Sequence, residues 1–227
     1  MLKPANSLVV GVSGGIDSSV VSTICAMTGK KTFVVSMPIQ QNKEQHNLSL
    51  KHQEWLKKNY KNIEPIVIPL DTIFKDFQIA LSNFNSLHGL ANSRARLRMT
   101  TLYQIAQSNN GLVVGTGNKV EDFGVGFYTK YGDGGVDISP IADLMKSEVW
   151  NIGKKLGILQ QIIDAPPTDG LWEDGRTDSE QLGGLTYAQM EDAMENSNSK
   201  YFKEYTKIRN PNLHKMNPIP IFKKPNS

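Results

Sequence analysis

Three short apolar runs, LVVGV at residues 8–12, TFVVSM at 32–37 and IEPIVIPL at 63–70, are separated by two stretches of helical character. This alternation is the strongest constraint in the chain. Strands held that far apart cannot be joined as tight hairpins, so they pair in parallel through crossover helices. The first crossover, residues 18–27, carries the small and apolar residues of a packed helix, with Gly29 placed to close it. The second, residues 43–59, is amphipathic, with Leu48, Trp55 and Leu56 among charges. The expected fold is α/β: a doubly wound, mainly parallel sheet with helices on both faces, Rossmann-like in its connections.

Beyond residue 70 the rhythm loosens. Residues 73–81 read as a helix, 83–90 as a loop, and 91–107 as a helix carrying Arg94, Arg96 and Arg98. A fourth strand at 112–114 opens into a turn at Gly115. Residues 123–140 are crowded with glycine and show no period, a pattern typical of functional loops. Helices are expected at 144–156, 187–195 and 201–208, with a polar loop at 165–184. No repeat or linker divides the 227 residues, which suffice for one large core, so a single domain spans 1–227 with 209–227 as an irregular C-terminal tail.

Charge and cysteine content exclude several classes. The net charge of +3 suits an anionic small molecule, and no block of like charges marks a nucleic-acid surface, so no nucleic-acid partner is expected. Cys25 is the one cysteine, which excludes an internal disulfide framework and a multi-cysteine zinc site; in its apolar helix it reads as a buried, inert thiol. No window reaches the roughly 18 apolar residues of a membrane span, and the start lacks a secretory apolar core. A cytoplasmic protein without membrane contact is expected.

The junction GVSGGIDSS, residues 11–19, occupies the first strand-to-helix turn, the preferred anion site of an open α/β sheet. Gly14 and Gly15 are expected to take positive φ and expose N–H groups, while Ser13 and Ser18 add hydroxyls and the helix aims its positive end at the anion. The spacing is neither the lysine-bearing P-loop nor the dinucleotide Gly-x-Gly-x-x-Gly. Instead of a lysine, the loop brings Asp17, a hard carboxylate suited to Mg2+. An ordinary glycine turn with Asp17 as a helix cap fits the same residues.

SGGIDS at 13–18 resembles the signature of the ATP pyrophosphatases, which cleave ATP between its α- and β-phosphates. The ordered motifs ARLRM (95–99), LVVGTGNKVE (112–121), FYTKYGDGGVDISPI (127–141), Lys146, PPTDGLW (166–172) and HK (214–215) are similar to those of the ammonia-dependent NAD synthetases within that group. The resemblance implies an ATP- and Mg2+-dependent ligase that adenylates the nicotinate carboxylate of deamido-NAD, releases pyrophosphate and lets ammonia displace AMP. It implies ATP contacts along the loop from Gly11 through Val12, Ser13, Gly14, Gly15, Ile16, Asp17 and Ser18, and at Thr116, Lys146 and Thr168. Asp17, Lys146 and Thr168 would be catalytic, and Asp17 and Glu121 would hold Mg2+.

For deamido-NAD the same resemblance implies Arg96, Lys130, Asp137, His214 and Lys215. Arg94, Arg96 and Arg98 cannot share one helix face, and Arg96 alone is expected at the substrate. Read without the family, Lys146 is a solvated helix residue, Glu121 a surface acid and His214 a surface histidine. Residues 119–126 hold one residue more than the family's usual spacing, which a loop would absorb. The resemblance further implies a homodimer; only residues 1–7 precede the first strand, where family members carry a helical segment that contributes to it. Amidation of nicotinate mononucleotide, and a nucleotide-binding relative without catalysis, are the alternatives.

Overall fold

The computed structural model describes residues 5–166 and 184–224. Strands β1 (Ser7–Gly11), β2 (Lys31–Ser36), β3 (Ile63–Val67) and β4 (Gly111–Val114) form one parallel sheet in the order β3-β2-β1-β4. The chain winds outward from β1 to β3, then returns to place β4 on the other side of β1. That reversal opens a crevice at the carboxyl ends of β1 and β4, where such sheets bind ligands.

Side chains alternate across β1 and are buried on both faces. Leu8 and Val10 meet Val20 of α1 (Ile16–Met27), Leu56 of α2 (Lys43–Asn59) and Val149 of α5 (Lys146–Lys155). Val9 turns to the opposite layer, with Phe74 of α3 (Asp71–Ala80) and Ala106 of α4 (Leu87–Ser108). Helices therefore cover both faces, as the unbroken burial along β1 and most of β2 requires. Cys25 is buried among the first group, and burial pushes its thiol up to about 12, so it is inert as expected.

Several boundaries differ from the sequence reading. The expected loop at 83–90 gives way to α4 at Leu87, because the Ser86 hydroxyl accepts the Gly89 N–H and caps the helix early. Residues 119–126 are not a loop: Lys119–Val125 is a π-helix, with the Gly126 N–H reaching the Glu121 carbonyl five residues back. An inserted residue within a helical turn produces this widened geometry. The tail is only partly irregular. After α6 (Gln160–Ile163), α7 (Tyr187–Glu195) and α8 (Phe202–Arg209) come a 3-10 turn at Asn210–Asn212 and α9 (Leu213–Met216). Pro211 starts that turn because its missing N–H falls where a helix leaves donors unpaired anyway.

Where α2 packs on α1, His52 is fully buried with Nε2 2.8 Å from Ser22 Oγ, and its Nδ1 has no partner. Burial lowers its pKa to about 4, against a bond to the Ser19 backbone that raises it. The folded protein thus holds His52 neutral, whereas the unfolded chain takes up a proton below its ordinary pKa near 6.5. The resulting stability is present above about pH 6.5 and is lost as pH falls toward 4, by about 3 kcal/mol in all. Urea titrations of the wild type and His52→Gln over that range are expected to give stability differences that shrink on acidification. A constant difference would mean that His52 does not titrate.

Candidate active site

A cavity of about 580 Å³ opens at the carboxyl ends of β1 and β4. Its floor is the loop 11–18. Gly14 has φ +94°, and α2 packs so closely against it that a Cβ there would lie 2.4 Å from the Gln45 carbonyl oxygen. Gly15 departs from expectation: at φ −88° it is extended, and it serves as the N-cap residue of α1. Nor are the two serine hydroxyls idle donors. Ser18 Oγ accepts the Ser13 N–H and donates to the Gly15 carbonyl, so the turn is tied into shape before any ligand arrives. The first turn of α1, carrying Asp17, points its positive end into the cavity.

Three charged groups from distant parts of the chain meet above this floor. Lys146 Nζ donates to Asp17 Oδ2 at 2.5 Å and to Glu121 Oε1 at 2.8 Å, and its side chain is only 2% exposed. A solvated lysine and a surface acid, the readings made without the family, are both overturned. Asn118 fixes the partners: its amide donates to Asp17 Oδ1, and its Oδ1 caps the π-helix by accepting from Val120 and Glu121 N–H groups. Tyr187 donates to Glu121 Oε1 at 2.5 Å. The ammonium also lies over the rings of Tyr187 and Trp150, at 5.0 and 5.7 Å from their centroids.

The electrostatics follow from burial. Burial is the largest influence on Asp17 and, with Glu121 beside it, holds the carboxyl above its usual value despite Lys146. On Glu121 burial also acts upward, but the Lys146 charge and the bonds from Lys146, Tyr187 and Asn118 outweigh it and bring the carboxyl below its usual value. Burial would strip the Lys146 proton, yet the two carboxylates overcome it and raise that pKa, so Lys146 is a fixed cation. Next to them Asp122 lines the same cavity, and burial together with Asp133, Glu121 and Asp17 pushes its carboxyl well above the usual range.

The remaining expected residues fall into separate places. Thr116 lines the cavity just past β4. Arg96 is exposed and donates to the Lys130 carbonyl, away from the lining. Of the three arginines it is Arg98 that lines the cavity, donating to the Met37 carbonyl, while Arg94 is buried against Gln40 and the Phe74 ring. Asp137 accepts the Val113 N–H and the Tyr103 hydroxyl, pinning its own loop to β4. Lys130 and α9 are clasped reciprocally: Lys130 Nζ donates to the His214 carbonyl, and Lys215 Nζ to the carbonyls of Gly126 and Tyr128. Thr168 lies outside the described residues.

Sequence reasoning missed Asn118, Arg98, Asp122 and Tyr187. Asn118 had a signal, an Asn three residues before an acid, which is a helix-start pattern. Among the described residues no group of three His, Cys, Asp or Glu side chains is placed to hold a metal, and no helix is long and apolar enough to cross a membrane.

The chain is similar to known proteins over most of its length. The sequence profile of the family described as NAD synthase matches residues 2–220. The NH(3)-dependent NAD(+) synthetase of Carboxydothermus hydrogenoformans is 40% identical over 192 residues, covering 82% of this chain and 76% of the relative. That of Mesoplasma florum is 40% identical over 195 residues, covering 82% and 75%. Among solved structures, NMN synthetase from Francisella tularensis aligns with a TM-score of 0.87 at 34% identity, over 99% of this chain and 91% of that one. The NH3-dependent NAD synthetase from Campylobacter jejuni aligns at 0.78 with 27% identity, over 97% and 91%.

Proposed function

The chain belongs to the NAD synthase family and is an ammonia-dependent ligase of NAD biosynthesis, and we propose that it amidates deamido-NAD through an adenylate. The observation that carries this reading is the Lys146 ammonium held between Asp17 and Glu121 beside the phosphate loop. A carboxylate resists ammonia because its leaving group would be oxide. Attack of a nicotinate carboxylate oxygen on the α-phosphorus of ATP breaks the bond to the β-phosphate bridge and releases pyrophosphate. Ammonia then adds to the acyl carbon, AMP departs with the C–O bond, and the surplus proton goes to solvent.

Such chemistry asks the protein for position and charge rather than for a nucleophile of its own. The 11–18 loop and the α1 terminus hold the departing pyrophosphate. Lys146, which keeps its proton, neutralises the phosphates as a fixed charge and takes no part as a base. Thr116 and Arg98 line the cavity and would meet the nucleotide there, and Thr168 is assigned to ATP by the family motif alone.

Asp17 and Glu121 fit Mg2+. They offer two hard carboxylates in one cavity, each with one oxygen on the Lys146 ammonium, and Mg2+ takes one or two such ligands while completing its shell with phosphate oxygens and water. When bound, Mg2+ would supply charge neutralisation on the triphosphate. For the dinucleotide, Arg96, Lys130, Asp137, His214 and Lys215 remain the assigned contacts, and the lysines would exchange their present carbonyl partners for substrate phosphate.

Pyrophosphate release from ATP, Mg2+ and ammonium in parallel tubes with deamido-NAD, nicotinate mononucleotide or neither tests the reading, with Asp17→Ala as control. Release that depends on deamido-NAD and is lost in the variant supports it. The higher structural likeness to the F. tularensis NMN synthetase favours a second reading, amidation of the mononucleotide, and faster turnover of that substrate would replace the first. Silence in every tube would leave a nucleotide-binding relative.

A homodimer accompanies this proposal. Ile73, Ile79, Phe84 and Leu87 expose apolar surface from α3 to the start of α4, more than scattered single residues would. Sedimentation is expected to give a dimer for the wild type and a monomer for Phe84→Asp; a wild-type monomer would remove this part of the proposal.

A further inference from the structure

We propose that Tyr187 is a positioning residue that sets the orientation of the Glu121 carboxylate for cation binding; the inference rests on the reading of Glu121 given above. Tyr187 stands 66 residues along the chain from Glu121, in the first turn of α7. That turn is fixed by reciprocal bonds: Thr186 Oγ1 accepts the Gln189 N–H, and Gln189 Oε1 accepts the Thr186 N–H. The ring is 8% exposed and meets Trp150 edge-on, with centroids 5.8 Å apart and planes at 88°. Neither the backbone nor the ring is free to move the hydroxyl away.

The identity of the acceptor separates positioning from plain burial. A buried phenol finds a partner as a matter of course. Tyr205, in the same C-terminal cluster, does so on a backbone carbonyl, that of Gly124. Tyr187 instead spends its proton on a cavity-lining carboxylate. Its hydroxyl and Lys146 Nζ converge on one oxygen, Oε1. Two donors on Oε1, with the Asn118 side chain as a third bond to the carboxyl, fix the twist at which Glu121 faces the cavity. The apolar cluster of π-helix, α7 and α8 thereby contributes to the site through Glu121.

Tyr187→Phe keeps the ring and removes the hydroxyl that donates to Glu121. Mn2+ binding measured by electron paramagnetic resonance, with α,β-methylene-ATP present, reads the cation site without turnover. Outer partners of metal ligands are worth about 10- to 100-fold in affinity, so Tyr187→Phe is expected to weaken Mn2+ at the lower end of that range. In a Glu121→Gln background the same change is expected to have no further effect, since it acts through the carboxylate. Equal losses in both backgrounds, or a shifted melting temperature with unchanged Mn2+ binding, would make Tyr187 structural and overturn the proposal. Should Glu121→Gln itself bind Mn2+ like the wild type, the assignment of Glu121 falls and this inference with it.

Discussion

Lys146→Met is expected to lower pyrophosphate release by about 10³-fold, because a fixed cation at transferring phosphates contributes on that scale. Methionine keeps an unbranched stem of similar length and removes the ammonium, with its place over the Trp150 and Tyr187 rings. The folding cost is also large. Asp17 and Glu121 would be left partly buried and facing each other, and breaking a buried pair by deleting one partner costs about 3–5 kcal/mol. Both side chains keep some exposure, 18% and 15%, so the lower end applies.

The pH dependence of that penalty identifies its source. Without Lys146, burial and mutual repulsion raise both carboxyls above their unfolded values, so the loss is full at neutral pH and shrinks as acid lets one of them take a proton. The stability difference between wild type and variant, measured with urea from about pH 7.5 down to about pH 5, is expected to narrow. A pH-independent difference would trace the loss to packing. Retained pyrophosphate release would remove Lys146 from the mechanism.

What was legible in the sequence follows from how locally each feature is determined. The centre of the sheet could be read because β1 and most of β2 form unbroken, nearly all-buried runs, which burial on both faces explains, while β3, with Glu64 and Pro65 exposed, is the edge. The loop at 13–18 could be read because a turn, a serine and a carboxylate within a few residues act on one another directly. Lys146 lies 129 residues from Asp17, and only the family motif brought it to the site. Tyr187 had no such motif: its capping box marks the helix start but says nothing of Glu121.

Rotation about a helix axis is the general gap. Spacing separates Arg94, Arg96 and Arg98 onto different faces of α4 but does not say which face meets the cavity, since packing against β1 and β4 sets that angle. Arg98 lines the cavity wall, while Arg96 lies outside that lining and donates to the Lys130 carbonyl. The π-helix at Lys119–Val125 shows the same limit in another form: an extra residue was visible, while its absorption by a widened turn required the cap at Asn118 and the left-handed Gly126.

The paired glycines give the second large effect, and here the structure distinguishes residues that look equivalent. At Gly14 a side chain meets two obstacles. Its φ of +94° is a backbone conformation that L-residues rarely adopt, costing on the order of 1–3 kcal/mol. A Cβ would also lie 2.4 Å from the Gln45 carbonyl and 3.1 Å from the Ser49 nitrogen, both backbone atoms of α2 that no rotamer can move aside. Gly14→Ala must therefore push α2 off the loop, and with it distort the turn that presents Asp17; a misplacement of about 1 Å costs roughly 100-fold in rate. Gly15 is extended at φ −88°, and its nearest added contact would be Ser13 Oγ at 3.4 Å, an ordinary distance. Gly15→Ala is expected to fold with near wild-type stability and to retain most of its pyrophosphate release, while Gly14→Ala loses about 3 kcal/mol and at least about 100-fold in activity. Equal tolerance at both positions, by urea titration and by pyrophosphate release, would mean that α2 does not clamp the loop and that the cradle is shaped by the ligand instead.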